Sequence, residues 1–157
     1  MRRRGAAEVT GAGSFTHEYT FMSSLAGLRI LIVEDDALVA LNLQEFVESL
    51  GCTVVGPAGR LGEALRTLER EDIDGAMLDI NLHGELVYPL AKRLAEREIP
   101  MLFCSGYAFT SIVPERFAHY RQVAKPCVDH TLRTAMMETF TARRMPTVQR
   151  HCVAVDA

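Results

Sequence analysis

Short apolar runs and amphipathic stretches alternate along this chain from Leu28 onward. The apolar runs, of which 30–33 is typical, have the length and composition of buried strands. The amphipathic stretches repeat apolar residues at helical spacing, as Val39, Leu43 and Val47 do. Strands are predicted near 29–34, 53–57, 74–79, 99–104 and 121–124, and helices near 37–50, 61–70, 86–97 and 128–141. Five apolar strands alternating with helices predict an α/β fold with a parallel sheet covered on both faces.

Capping and helix-breaking residues refine these boundaries. Asp36 can cap the amino end of the first helix, and Gly51 can end it. Pro89 is compatible with the third helix only if it lies in the first turn. The segment 106–119 is the hardest to assign, because Pro114 disfavours a helix in the residues before it. We predict no more than a short helix near 113–119.

Composition indicates one ordinary globular domain with two flanking segments. The chain has 157 residues, of which 48% are hydrophobic and 24% charged. Residues 1–26 are rich in Gly, Ala, Ser and Thr and predict a disordered lead-in, within which Met22 is a plausible alternative start. The tail 142–157 is also predicted to be unstructured. A single domain is therefore expected over 27–141.

Charge and hydropathy argue against several classes of protein. A net charge of -3 gives no indication of a nucleic-acid surface. No apolar run approaches the roughly 18 residues that a membrane span needs, and the basic start lacks the apolar core of a signal peptide. The four cysteines form no C-x-x-C pair and are predicted to be neutral thiols in a reducing compartment. These features favour a cytoplasmic protein.

Acidic, hydroxyl and ammonium side chains follow four of the predicted strands. Glu34 and Asp35 come after the first strand, Asp79 after the third, Ser105 after the fourth and Lys125 after the fifth. Because ligands of such sheets bind at the carboxyl ends of the strands, we expect these side chains to lie close together. Carboxylates held together repel one another unless a cation lies among them. The pattern therefore predicts a site for a hard cation.

The predicted cation is Mg²⁺, which takes near-octahedral oxygen ligands and keeps several waters. Asp35 and Asp79 would supply direct carboxylates, and Glu34 could hold a coordinated water. The backbone carbonyl of Asn81, two residues after Asp79, is a reasonable third protein ligand. Solvated acids at strand ends are the alternative interpretation of the same residues.

Asp79 is the predicted reactive group of this cluster. A carboxylate can act as a nucleophile toward phosphorus and carry an aspartyl-phosphate. Lys125 could then pair with the new phosphoryl oxygens, and the Ser105 hydroxyl could donate to another of them. His83 lies near Asp79 in the sequence, but a loop or surface position is the favoured interpretation of it.

The order of these motifs resembles the receiver domain of two-component response regulators. The resemblance covers roughly 27–141 and depends on the acidic pair, Asp79, Ser105 and the Lys125-Pro126 pair in that order. It implies a flavodoxin-like (βα)5 three-layer sandwich with strand order 2-1-3-4-5. It also implies that Asp79 is the phospho-acceptor and that the peptide bond before Pro126 is cis.

A finer resemblance is to the FAT GUY group of stand-alone receivers, whose fourth-strand motif reads roughly Phe-Ala-Thr-Gly-x-Tyr. The chain has Phe103-Cys104-Ser105-Gly106-Tyr107 at this position, with its Tyr directly after the Gly. Cys127 replaces the Phe that usually follows Lys-Pro. Gln122 occupies the position at which ordinary receivers carry a switching Tyr or Phe. The resemblance therefore implies that Tyr107 and Ser105 form the switch.

These observations predict a single-domain response regulator that signals by protein contacts or by onward phosphotransfer. The implied phosphoryl donor is a sensor histidine kinase or a histidine phosphotransferase, and a downstream protein would receive the signal. Since only 142–157 follow the predicted domain, we expect no separate output domain. The sequence leaves the oligomeric state open, with a monomer as one possibility.

Three other functions are alternative interpretations of the same residues. A degenerate receiver would act as an interaction scaffold without phosphorylation. A Mg²⁺-dependent phosphohydrolase would need an acid two residues after the nucleophile, where this chain has Asn81. A nucleotide-binding module would need a glycine- or hydroxyl-rich loop after the first strand, where this chain has acids. We therefore predict no enzyme activity beyond autophosphorylation and autodephosphorylation.

Overall fold

The structure, a computed structural model, describes residues 25–106, 113–127 and 130–142. Its strands are β1 (Arg29–Val33), β2 (Thr53–Ala58), β3 (Gly75–Asp79), β4 (Asn81–Leu82), β5 (Glu85–Leu86), β6 (Met101–Ser105) and β7 (Arg121–Ala124). Its helices are α1 (Ala37–Ser49), α2 (Leu61–Arg70), α3 (Tyr88–Glu96) and α4 (His130–Phe140), with a 3₁₀ turn at Glu115–Phe117. Within these residues, no helix is long and apolar enough to cross a membrane.

The main sheet has five strands in the order β2-β1-β3-β6-β7, and all of its neighbouring pairs are parallel. Counted along the chain without the hairpin, this is the predicted order 2-1-3-4-5. The α/β class and the flavodoxin-like topology are thus confirmed. The order reverses between β1 and β3, so the loops after these two strands flank the switch point at which ligands of such sheets bind.

The hydrophobic core has two layers, one on each face of the sheet. Alternate strand residues, such as Leu31, Leu78 and Phe103, pack with α2 and α3 on one side. Their neighbours, such as Ile32 and Met77, pack with α1 and α4 on the other. Because successive side chains of a strand point to opposite faces, strands covered on both sides must be apolar throughout. This explains the continuous apolar runs of the sequence.

Most predicted boundaries hold to within one or two residues. Asp36 caps α1, its Oδ1 accepting hydrogen bonds from the backbone N–H groups of Leu38 at 2.9 Å and Val39 at 3.0 Å. Pro89 lies in the first turn of α3, as predicted. The peptide bond between Lys125 and Pro126 is cis, as the resemblance implied.

Two predictions were incomplete. The third helix was predicted to begin near residue 86, but Glu85 and Leu86 form a strand that pairs with Asn81 and Leu82. The short helix predicted near 113–119 is only the 3₁₀ turn Glu115–Phe117. The predicted disordered segments at the two ends of the chain lie almost entirely outside the described residues.

Replacing Gly75 with Ala should destabilise the protein. A Cβ atom at this position would lie 2.6 Å from Cδ1 of the buried Phe140 ring, so β3 and α4 would have to separate. We expect the free energy of unfolding to fall by about 1–3 kcal/mol, the usual cost of overpacking. Urea denaturation measures the change.

Gly62→Ala is the matched control for that substitution. Gly62 lies in the first turn of α2, where a Cβ would make only an ordinary contact of 3.6 Å with Arg66 Nη1. Alanine is the better helix former, so this variant should gain about 0.5–1 kcal/mol. Equal effects of the two substitutions would contradict the packing explanation for Gly75.

Candidate functional site

The sheet brings most of the predicted site residues to its carboxyl edge. Glu34 and Asp35 directly follow β1, Asp79 and Ser105 end β3 and β6, and Lys125 directly follows β7. The Lys125 backbone N–H donates to the Ser105 carbonyl at 3.0 Å, which ties the last two of these strand ends together. The parallel register therefore explains why residues far apart in the sequence converge here.

Lys125 lies at the centre of the cluster. Its Nζ atom is 2.5 Å from Glu34 Oε2 and donates a hydrogen bond of 2.6 Å to Asp79 Oδ2. All three side chains are largely shielded from water, with exposed fractions of 17% for Lys125, 1% for Glu34 and 11% for Asp79. The ammonium group thus bridges Glu34, which follows β1, and Asp79, which ends β3.

Burial acts in opposite directions on the pKa values of Glu34 and Lys125. Burial, together with the negative charge of Asp79, raises the pKa of Glu34, and the nearby Lys125 ammonium opposes this rise only in part. Burial alone would lower the pKa of Lys125, but its hydrogen bond to Asp79 and the negative charges of Asp79 and Glu34 raise it overall. Glu34 Oε2 has no partner of good hydrogen-bond geometry, so its contact with Lys125 is an ion pair only. The positive charge of the Lys125 ammonium therefore only partly compensates the negative charges of Glu34 and Asp79.

The acids of the site fit a divalent cation. Glu34, Asp35 and Asp79 each offer one carboxylate oxygen, and these three oxygens lie within 4.8 Å of one another. Oxygen ligands of this kind and number suit Mg²⁺, which completes its coordination with water. A divalent charge here would also compensate the buried Glu34 carboxylate. The donor set thus agrees with the predicted magnesium site.

Asn81 is close to the cluster and has two other contacts. Its backbone N–H donates to Asp79 Oδ1 at 3.3 Å, and its side-chain oxygen accepts a hydrogen bond of 2.7 Å from the Gly84 N–H. The first contact orients Asp79, and the second stabilises the β4–β5 hairpin. Coordination through the Asn81 carbonyl stays a prediction.

His83 contacts Asp35, and the sequence did not predict this contact. Its backbone N–H donates to Asp35 Oδ2 at 2.7 Å, and its ring Nδ1 lies 2.5 Å from the same oxygen. The contact spans 48 positions of the chain. The signal in the sequence was the His83-Gly84 pair, which suits a tight hairpin turn, but it does not indicate which residue the turn contacts.

The predicted switch residues are only partly described. Ser105 is buried at the end of β6, with 5% of its surface exposed. Tyr107 lies outside the described residues, so its role stays a prediction. Gln122, at the position of the usual switching aromatic, is half-buried in β7 and pairs with Phe103 of β6.

Two thiols lie directly behind the site. Cys104 and Cys127 are both buried in the layer that faces α1 and α4. A hydrogen bond with Cys127, together with burial, raises the pKa of Cys104 well above its ordinary value. A thiol whose pKa is raised in this way is protonated and unreactive at neutral pH. For Cys104 this agrees with the predicted neutral thiol.

The family model of the response regulator receiver domain matches residues 30–137, and the chain belongs to this family. It is thus a receiver domain of response regulator signalling. The structure of SdrG from Sphingomonas melonis Fr1 is similar, with 36% identity and a TM-score of 0.63 over 76% of this chain and 98% of SdrG. SdrG in its BeF3-activated conformation, from Pseudomonas melonis Fr1, is similar at 36% identity and a TM-score of 0.60, over 71% of this chain and 98% of that one.

Longer relatives match over part of their length. The phyllosphere-induced regulator PhyR of Methylorubrum extorquens is 33% identical over 103 residues, which are 62% of this chain and 38% of PhyR. The crystal structure of the response regulator PhyR from Brucella abortus is 26% identical with a TM-score of 0.72, over 82% of this chain and 54% of that one. The chain therefore spans less than two thirds of these two proteins.

Proposed function

We propose that this receiver domain accepts a phosphoryl group on Asp79 from a phosphohistidine donor and passes the signal on by protein contacts or onward phosphotransfer. The observation that carries the proposal is the Lys125 ammonium held between Glu34 and Asp79, 2.5 and 2.6 Å from their carboxylates. A lysine held against the reactive acid can bind a phosphoryl oxygen as soon as that acid is modified.

The chain's own residues account for the main steps of the transfer. A carboxylate oxygen of Asp79 attacks phosphorus in line with the leaving histidine nitrogen, so the P–N bond breaks as an O–P bond forms. Lys125 pairs with a phosphoryl oxygen, and the Ser105 hydroxyl donates to another. The new phosphoryl group adds about -1.5 to -2 charge at neutral pH. These contacts draw the ends of β6 and β7 toward Asp79.

Glu34, Asp35 and Asp79 would hold Mg²⁺, with the Asn81 carbonyl as a further ligand. When bound, the ion offsets negative charge on the transferring phosphoryl group. Without it, the acids that surround Asp79 would repel the incoming phosphate. Glu34 and Asp35 therefore contribute to phosphorylation only as ligands, while Asp79 is the reacting group.

Ser105 and Tyr107 are the proposed switch, and 27–141 the proposed receiver unit. The proposed donor is a sensor histidine kinase or a histidine phosphotransferase in the cytoplasm, and the receiver of the signal is a downstream protein. SdrG, which has a BeF3-activated conformation, supports this proposal by similarity. The only chemistry that we propose is phosphorylation and dephosphorylation of the chain itself.

Incubation with radiolabelled acetyl phosphate tests the proposal directly. We expect the protein to become labelled when Mg²⁺ is present and to remain unlabelled when a chelator removes it. Restoring Mg²⁺ in excess of the chelator should restore labelling. A folded protein that is not labelled with Mg²⁺, either by acetyl phosphate or by a phosphorylated histidine kinase, would instead be an interaction scaffold.

A further inference from the structure

The β4–β5 hairpin connects the loop after Asp79 to the loop after β1. Its tip is the pair His83-Gly84, and both residues have positive φ angles, 53° and 91°. Two positive φ angles at the tip are characteristic of the type I′ turns that join two-residue hairpins. The tip lies against Asp35, to which His83 donates from its backbone N–H at 2.7 Å. The two acid-bearing loops are therefore in direct contact.

The backbone of the hairpin is well anchored. Leu82 is buried with 3% of its surface exposed, and Asn81 pairs with Leu86 across the two strands. The Gly84 N–H donates to the Asn81 side chain at 2.7 Å, which closes the turn. These contacts fix the His83 backbone, so its N–H is directed at Asp35 by the hairpin itself.

The His83 ring lies against the same carboxylate oxygen. Its Nδ1 is 2.5 Å from Asp35 Oδ2, although 68% of the His83 side chain is exposed to solvent. An exposed imidazole gains nothing from the core, so Asp35 is the contact that orders it. Asp35 Oδ2 thus contacts both the backbone N–H and the ring nitrogen of His83, which leaves Oδ1 to bind a cation.

We infer that His83 is a positioning residue for Asp35, holding this carboxylate so that Oδ1 faces the magnesium site. The inference depends on the proposed function, in which Asp35 is a magnesium ligand. Donors that contact a ligating side chain fix its orientation, and their loss typically weakens metal binding by about 10- to 100-fold. His83 would therefore raise the affinity for Mg²⁺ without contacting the ion.

Two substitutions separate the ring from the turn. His83→Gly removes the ring but retains the backbone N–H and accepts a positive φ angle without strain. His83→Asn also suits this turn, and its side-chain amide can place a donor near the position of Nδ1. A difference between these variants would therefore report the ring contact and not the shape of the hairpin.

Isothermal titration of the full chain with MgCl2 gives the required dissociation constants. We expect His83→Gly to bind Mg²⁺ about 10-fold more weakly than the unsubstituted protein, and His83→Asn to recover most of that affinity. Circular dichroism and urea unfolding of the same samples confirm that both variants fold. If His83→Gly bound Mg²⁺ with an unchanged dissociation constant, the inference would be overturned. A lower dissociation constant would also overturn it, because it would show that His83 competes with the ion.

The unsubstituted protein distinguishes this inference from the function on which it depends. If it binds Mg²⁺ and His83→Gly binds equally well, the role of His83 is wrong and the magnesium site stands. If the unsubstituted protein binds no Mg²⁺, both the magnesium site and the inference fail. Equal weakening by both variants would also overturn it, since the loss would then not follow the donor.

Discussion

Asp79→Asn should abolish labelling of the protein by acetyl phosphate and by a phosphorylated histidine kinase. An amide oxygen is a far weaker nucleophile than a carboxylate, and no stable acyl phosphate can form on it. The neutral side chain also removes one negative charge from the site, in which Asp79 accepts a 2.6 Å hydrogen bond from Lys125. Because the amide oxygen can still accept this bond, the fold should be retained. Incorporated label, measured with Mg²⁺ present, should fall to background.

Asp36→Asn is the control for this experiment. Asp36 neighbours the same acidic pair, but its exposed side chain caps α1 and contacts neither Lys125 nor Asp79 within the described structure. Asparagine is an equally good cap, so this variant should be labelled at the rate of the unsubstituted protein. If Asp79→Asn were labelled as fully as Asp36→Asn, the assignment of the phospho-acceptor would be wrong.

The main sheet and the convergence of the charged residues could be predicted from the sequence for physical reasons. Strands covered on both faces must be apolar, so 30–33 and 76–78 stand out against the amphipathic helices between them. A parallel sheet also places every strand end on one edge. The predicted proximity of Glu34, Asp79 and Lys125 therefore needed only the strand positions, and the distances of 2.5 and 2.6 Å agree with it.

The hairpin and its contact with Asp35 could not be predicted in the same way. Leu82 and Leu86 lie four positions apart, a spacing that a helix would also explain. The hydrogen bond from His83 to Asp35 spans two loops and depends on where a tight turn ends in space. Local patterns determine that such a turn forms, but the packing of the whole hairpin determines what it touches.

The balance of charge within the cluster is a second property that the sequence does not reveal. Three acids and one lysine can be counted from the motifs, but the degree of burial cannot. Glu34 is 2% exposed, so desolvation outweighs its attraction to Lys125 and raises its pKa. The protein without bound metal therefore holds an acid in an unfavourable environment, a cost that a bound cation would reduce.

Lys125→Ala should strongly destabilise the protein in the absence of divalent cations. The substitution leaves Glu34 and Asp79 buried beside each other without the ammonium that lies 2.5 and 2.6 Å from them. Removing one partner from a buried ion pair typically costs about 3–5 kcal/mol of unfolding free energy, and we expect a loss near the lower limit because the site is partly open. Addition of Mg²⁺ should stabilise this variant more than the unsubstituted protein, since the ion replaces the lost positive charge.

The loss of stability caused by Lys125→Ala should also depend on pH, because the pKa of the buried Glu34 carboxyl group is raised. The pKa of Glu34 is already raised by burial, and removal of Lys125 would raise it further. A carboxyl group whose folded pKa exceeds its unfolded pKa contributes stability that is full below the unfolded pKa and is lost as pH rises through the folded pKa. The difference between Lys125→Ala and the unsubstituted protein should therefore be largest near neutral pH and shrink on acidification.

Urea unfolding of the two proteins at acidic and neutral pH, with and without Mg²⁺, tests both effects. Lys92→Ala is the matched control, because the 3.8 Å ion pair between Lys92 and Glu96 is exposed on α3. Exposed pairs of this kind contribute about 0–1 kcal/mol, so this variant should change little and should not respond to Mg²⁺. A loss for Lys125→Ala no larger than that for Lys92→Ala would show that the buried ammonium does not hold the acids of the site together.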